Sequence, residues 1–252
     1  MAYIKTRGLV IREVAAGDYD KILTVICDEL GKISVSARGV RRSGNRHSAG
    51  TQVLSYCDWV LYKGKNTYIL NSCEILYPFY EIRQDITLLA YAAQLIEMIQ
   101  DTTPENQPSR EPLLLLLHAL HQLKSKNPEL VVRVFSLKLL QIMGYTPCLT
   151  GCCKCGTKAI DEIYFSFEDC GFICENCKSK AADCIRIEPA TAKALIYIIC
   201  AKIRDVFGFE LSDEALRNFS RIVDKYCMDK LEKNYSRSSY LKELHINTDK
   251  NG

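Results

Sequence analysis

Polar and apolar positions alternate through most of the first 80 residues, and the period becomes helical from Pro78 onward. The cleanest alternation runs over residues 32–38: Ile33, Val35 and Ala37 share one face, and Lys32, Ser34, Ser36 and Arg38 the other. A strand so patterned has a core side and a wet side. Residues 21–27 precede it across Asp28-Glu29-Leu30-Gly31, a turn of hairpin length. Residues 3–14 read as an earlier strand bent at Gly8, and residues 51–62 and 67–76 as a long hairpin about Lys63-Gly64-Lys65-Asn66. Five short strands in succession suit a small closed barrel of the OB type, with an SH3-like barrel as the competing arrangement.

Beyond Pro78, Asp85 is placed to cap a helix that carries Leu88, Leu89, Ala92, Leu95, Ile96 and Ile99 on a broad apolar stripe. Pro104 and Pro108 punctuate a loop, and Pro112 opens a second helix whose five consecutive leucines, 113–117, predict burial on most sides. His118 and His121 stand three apart on it without a third ligand nearby, which points to partial burial or a polar face. A third helix over residues 128–143 stops at Gly144, with Pro147 beyond. Glu188-Pro189 opens another, residues 212–233 form a long last one, and the polar residues 247–252 should be loose. The predicted class is α+β: a five-stranded OB-type β-barrel over residues 1–80, then an α-helical domain in two parts, 81–147 and 181–252, around an inserted four-cysteine zinc finger at 148–180.

That insertion carries the strongest chemical signal. Cys152-x-x-Cys155 and Cys174-x-x-Cys177 put four thiolates on two tight knuckles, the ligand set of a tetrahedral Zn²⁺ ion. Cys148, Cys153, Cys170 and Cys184 flank the pairs, so a slip of one residue would exchange a ligand without changing the architecture. A metal-free ribbon, a redox pair or an iron–sulfur site are the alternatives, though the redox reading lacks its βαβ pattern. A closed shell of four thiolates offers no coordination position to substrate, so one structural Zn²⁺ ion braces the fold.

Net charge is only +3, so the position of the charge matters more than its sum. No acidic residue lies between Glu29 and Asp58, yet that interval holds Lys32, Arg38, Arg41, Arg42 and Arg46 beside His47, with Lys63 and Lys65 at the next hairpin tip. Residues 38–46 form a glycine- and serine-bearing loop, expected to be mobile and to follow a phosphate backbone. Tyr56, Trp59, Tyr62 and Tyr68 could stack on bases, but alternating aromatics in strands are mostly core. Thirteen cysteines, with Met1-Ala2-Tyr3-Ile4-Lys5 running straight into a strand and no secretory signal, predict a reducing compartment, the cytoplasm. No apolar run, that of residues 112–117 included, is long enough for a bilayer. No G-x-x-x-x-G-K-[ST] segment and no H-x-E with P-C-x-x-C are present, and the histidines at 47, 118, 121 and 245 are scattered, so an enzyme is not expected. The competing reading is a zinc-ribbon scaffold that binds protein only.

Two further segments stand out: Gly31-Lys32-Ile33-Ser34-Val35-Ser36-Ala37-Arg38-Gly39-Val40-Arg41-Arg42 on the third barrel strand, and Arg133-Val134-Phe135-Ser136-Leu137-Lys138-Leu139-Leu140 followed by Gly144-Tyr145-Thr146-Pro147. In these the chain resembles the bacterial recombination mediator family RecO: the first looks like that family's signature, and the second is similar to its R-x-F-E-x-x-L-L…G-Y-x-P helix end, with Ser136 where the family usually has Glu. The resemblance implies binding of single- and double-stranded DNA, annealing of complementary strands, and loading of RecA with RecR on strands coated by single-stranded-DNA-binding protein. It also implies that the acidic tail of that coating protein docks on the helical domain, with Arg133 contributing. An arginine beside an apolar groove suits a peptide ending in carboxylates; the bland alternative is an Arg133 that caps a carbonyl or pairs with Glu129.

Overall fold

The computed structural model describes residues 3–65, 67–158 and 161–235, so the polar end at 247–252 lies outside the described residues. The first five strands are β1 (Tyr3–Ala16), β2 (Asp20–Cys27), β3 (Gly31–Ala37), β4 (Tyr56–Lys63) and β5 (Tyr68–Tyr77). They close into a barrel in the order β1-β2-β3-β5-β4. Closure comes from a short parallel pairing of β3 with β5, Val35 opposite Tyr68 and Ser36 opposite Ile69, while the other pairs are antiparallel. That order is the OB arrangement and settles the choice against the SH3-like barrel.

β1 is long because it serves two neighbours, β4 along its first half and β2 along its second. The bend expected at Gly8 falls instead at a bulge between Val10 and Arg12. Gly8 answers to crowding: a Cβ there would sit 2.7 Å from the Val25 side chain and 2.8 Å from the Cys27 sulfur. The barrel interior is filled by Val10, Leu23, Val25, Ile33, Val35, Trp59 and Leu61. Trp59 is a core residue whose indole N–H donates to the Gly8 carbonyl at 3.0 Å.

Three helices belong to the same compact unit, which runs to Lys124: α1 (Tyr80–Gln84), α2 (Ile86–Thr102) and α3 (Arg110–Gln122). Asp85 caps α2 as expected, accepting from the N–H groups of Thr87 and Leu88 at 2.8 and 3.1 Å. The leucine run of α3 is buried on one side only: Leu113, Leu115 and Leu116 face the core while Leu114 is exposed. The loop between α2 and α3 is stitched onto the barrel. The Lys32 ammonium donates to the Gln100 carbonyl at 2.6 Å, the Asn106 N–H to the Lys32 carbonyl at 3.1 Å, and the Ser109 N–H to the Asp28 carbonyl at 3.1 Å. Gly31, at φ +70°, lies so close under the Gln107 backbone that any Cβ would overlap it.

The second unit, from Ser125 onward, holds α4 (Pro128–Ile142), β6 (Ile163–Ser166), β7 (Gly171–Cys174), α5 (Glu175–Lys178), β8 (Cys184–Ile187), α6 (Pro189–Cys200) and α7 (Asp213–Leu231). α4 packs against α6 and α7 around Phe135, Leu195, Ile198, Phe219 and Val223. The three short strands form an antiparallel sheet in the order β7-β6-β8. Among the described residues no helix is long and apolar enough to cross a membrane.

Candidate metal centre and nucleic-acid interface

The sequence between α4 and β6 is held to β7 by backbone pairing. The Phe172 N–H donates to the Cys148 carbonyl at 2.9 Å and the Cys153 N–H to the Phe172 carbonyl at 2.8 Å. This fixes the first knuckle, which closes with the Gly156 N–H on the Cys152 carbonyl at 2.8 Å. The second knuckle stands where β7 ends, since Cys174 is its last residue and Cys177 lies on the single turn α5. The Sγ atoms of Cys152, Cys155, Cys174 and Cys177 all lie within 4.8 Å of one another, and those of Cys155 and Cys174 are 3.7 Å apart. Zn–S bonds of about 2.3 Å in a tetrahedron put sulfurs about 3.8 Å apart, so this donor set fits a metal ion of that kind.

Burial works against the Cys152 thiolate, yet N–H groups of Cys174, Cys155 and Lys154 outweigh it and hold the thiol at about 6. Burial, with hydrogen bonds from the neighbouring sulfurs, pushes Cys177 up to about 12. A metal ion takes thiolates, so its arrival at such a site displaces thiol protons. The flanking cysteines stand outside this group: Cys153 faces the Cys148 carbonyl at 3.7 Å, and Cys170 receives the Lys230 ammonium at 2.9 Å. Among the described residues no second metal-holding group of three or more such side chains occurs.

In the same unit, the Arg133 guanidinium, projecting from α4, forks onto Asp224 of α7, with Nε to Oδ1 at 3.1 Å and Nη2 to Oδ2 at 2.9 Å. Asp224 was not among the sequence candidates, because it lies 91 residues further along the chain. Ser136, one turn on, is buried and returns its hydroxyl to the Val132 carbonyl at 2.8 Å.

In the barrel unit, the loop leaving β3 is a chain of hydrogen-bonded turns rather than the mobile segment its glycines and serines predict. Val40 plugs into the barrel core. The Asp20 carboxylate accepts from the Gly39 N–H at 2.7 Å, the Asn45 amide donates to the Gly39 carbonyl at 3.0 Å, and the Asn45 side-chain oxygen accepts from the His47 N–H at 2.8 Å. Asp20 and Asn45 are thus positioning residues that charge counting missed; a turn-forming Asn was the available signal.

Arg38, Arg41, Arg42, Arg46, Lys63 and Lys65 are all exposed, and among the described residues none forms an ion pair. Arg41 donates to the Gly17 carbonyl at 3.0 Å and Arg42 lies 5.0 Å over the Tyr19 ring, which gathers both at the β1–β2 turn. Arg46 turns the other way, donating to His47 at 3.0 Å. Lys63 pairs with Tyr68, itself opposite Val35, so the parallel register carries the hairpin tip toward the start of β3, away from Arg38. Lys32 departs from the wet face assigned to it: its ammonium is occupied by the Gln100 carbonyl. The cations therefore form a group at the β3 exit and a second pair at the β4–β5 tip.

Comparison with known proteins agrees with this architecture. Residues 1–79 match the family model described as Recombination protein O N terminal, and residues 83–239 the one described as Recombination protein O C terminal. The chain is 41% identical to the DNA repair protein RecO of Acetivibrio thermocellus over 97% of its own length and 98% of the relative's. It is 34% identical to the DNA repair protein RecO of Caldicellulosiruptor bescii over 92% and 95%, and 32% identical to that of Alkaliphilus metalliredigens over 91% and 94%. With an OB-type barrel, a helical part carrying a four-cysteine cluster, and both family models matched in order, the chain belongs to the RecO family of DNA repair proteins.

Proposed function

We propose that this protein is a non-catalytic DNA-binding recombination mediator. It binds single- and double-stranded DNA through its barrel, anneals complementary strands and, with RecR, helps RecA onto strands coated by single-stranded-DNA-binding protein. The observation that carries the reading is the set of exposed cations without carboxylate partners on an OB barrel, Arg38, Arg41 and Arg42 above all. Two strands repel through their phosphates, and such a surface lowers that repulsion by exchanging condensed counterions for fixed guanidinium groups. The turn-rich loop holds these groups in place before DNA arrives, which reduces the ordering cost of binding.

Within this reading residues 1–80 bind nucleic acid, residues 148–180 form the zinc finger, and residues 81–147 and 181–252 form the helical domain that meets protein partners. Cys152, Cys155, Cys174 and Cys177 would hold one Zn²⁺ ion. It would supply no reaction there, only a cross-link between the two knuckles. Arg133 receives the acidic tail of the coating protein, a peptide carboxylate taking the place that Asp224 holds in the fork. The protein acts in the cytoplasm, at the nucleoid.

Fluorescence anisotropy on labelled single-stranded DNA, titrated over a range of salt, tests the DNA reading. Replacing Arg38, Arg41 and Arg42 together by Gln is expected to lower affinity several-fold at moderate salt. It should also flatten the plot of log affinity against log salt by about 2, near 0.7 per lost phosphate contact. Unchanged affinity and slope would leave the zinc-bearing scaffold as the better account.

A further inference from the structure

A cavity of ≈ 660 Å³ opens on the barrel wall between β1, β4 and β5, lined by Lys5, Arg46, His47, Asp58, Cys73 and Glu74 among others. Cys73 is its sulfur. The Cys73 Sγ lies 3.8 Å from His47 Nδ1. Behind it, and sealed from solvent, is Cys57, whose thiol points at the Gly50 carbonyl at 3.5 Å. Both sulfurs converge on Gly50, since a Cβ there would fall 2.7 Å from the Cys73 sulfur and 3.4 Å from the Cys57 sulfur.

We infer that Cys57 and Cys73 are an oxidisable thiol pair, closed to a disulfide by a hydroperoxide that enters through the His47 cavity. The roles differ because the surroundings differ. Cys73 has access to the cavity, and the His47 ring, which accepts from Arg46 at Nε2, turns its Nδ1–H toward the sulfur and steadies the thiolate, which makes it the attacking sulfur. Cys57 has neither, which makes it the resolving one. The neighbouring thiols perturb one another: their interaction holds Cys73 below the ordinary thiol range and, with burial added, pushes Cys57 far above it.

The chemistry balances with the peroxide as oxidant. The Cys73 thiol gives its proton to water in the cavity, the thiolate attacks one peroxide oxygen, the O–O bond breaks, and the departing oxygen leaves as water or an alcohol with a proton returned by that water. Cys73 is then a sulfenic acid. The Cys57 sulfur attacks it, the S–S bond forms, and the hydroxyl leaves as water with the Cys57 proton. Two electrons pass from the thiols to the peroxide, and a dithiol reductant reverses the change.

Closure requires some yielding of the sheet. Cys73 stands opposite Trp59, so Cys57 is its diagonal neighbour on the same face, and a disulfide needs Cβ atoms about 3.8 Å apart. The ladder has a register break between Tyr56 and Cys57, which is where such a shift costs least.

The full-length protein, loaded with zinc, is treated with limiting hydrogen peroxide, alkylated and digested with trypsin. Cys57 then lies alone in the peptide of residues 47–63 and Cys73 alone in that of residues 66–83. The expected result is a linked 47–63/66–83 peptide, formed before zinc is released and faster than oxidation at exposed Cys148. In Cys57→Ser, dimedone should trap a sulfenic acid at Cys73, and His47→Ala should slow oxidation several-fold. Should Cys57→Ser fail to fold, the wild-type peptide map decides alone. Oxidation of Cys73 no faster than of Cys148, or linkage of Cys73 to any cysteine other than Cys57, overturns the inference.

Discussion

Single side chains decide two of the protein's proposed contacts, and each makes a prediction. The Arg133 fork is filled by Asp224, whose carboxylate is half exposed while the guanidinium is mostly covered, so an incoming anion must displace that carboxylate to reach it. Asp224→Asn should therefore raise affinity for an acidic tail peptide by roughly threefold to tenfold, because the incoming carboxylate no longer displaces a charge-assisted pair. Arg133→Ala should reduce it, and calorimetry with the peptide reads both. At the metal centre, Cys174→Ser should abolish stoichiometric zinc in elemental analysis, whereas Cys184→Ser should leave it unchanged, since Cys184 lies outside the sulfur group. Acid should release the metal from the wild type. The Cys152 thiol is depressed from its ordinary 9.0 to about 6 in the fold, so its share of stability is complete above 9 and is lost as pH falls through 6. The two C-x-x-C pairs were legible because two-residue knuckles are local, while Asp224 was not, because nothing local marks a partner from another helix.

At the scale of the element, helix starts were easier to read than surfaces. Asp85, Ser212 and the Asn127-Pro128 pair each cap a helix through hydrogen bonds spanning two or three residues, so the sequence displays them directly. β6, β7 and β8 are four residues each, too short for a period to emerge, and α1 is five. The five leucines of α3 misled for another reason: composition reports how apolar a run is but not how many neighbours will cover it. Lys138 was read only as part of the R-x-F segment, yet its ammonium is buried and donates to the carbonyls of Ile198, Ile199 and Ala201 at 3.1, 3.4 and 2.6 Å. It caps the C-terminal end of α6 from α4, meeting the negative end of that helix with a positive charge. Lys138→Met fills much of the same space without the donors, takes the ammonium from the Ile198 and Ala201 carbonyls while Ile199 keeps the Gln141 amide at 2.9 Å, and should cost about 2 kcal/mol in urea unfolding. A midpoint equal to that of the wild type would mean that water replaces the ammonium.

At the scale of the whole chain, two boundaries coexist. The family models meet between residues 79 and 83, whereas the packing places the helices through Lys124 with the barrel. The prolines at 104 and 108 read as punctuation between helices, and the sequence offers no sign that the loop they stiffen is fastened to β3. The fastening is specific. Lys32 gives its ammonium to Gln100 and its carbonyl to Asn106, and Asp28 receives Ser109. Gly31 lacks a side chain where Gln107 crosses it, which gives a physical reason for the glycine that opens the β3 segment Gly31-Lys32. A fragment of residues 1–124 should therefore unfold in a single cooperative transition and retain salt-sensitive DNA binding, since the proposed cations of the barrel all precede residue 66. A fragment of residues 1–80 exposes the α2-facing wall of the barrel and strands the Lys32 ammonium without its carbonyl, so it should melt earlier and without a sharp transition. Gly31→Ala in the longer fragment should move it toward the shorter one, because a methyl group there forces the Gln107 backbone off the barrel. Equal melting of the two fragments would show that the α2–α3 loop rests on the barrel without supporting it.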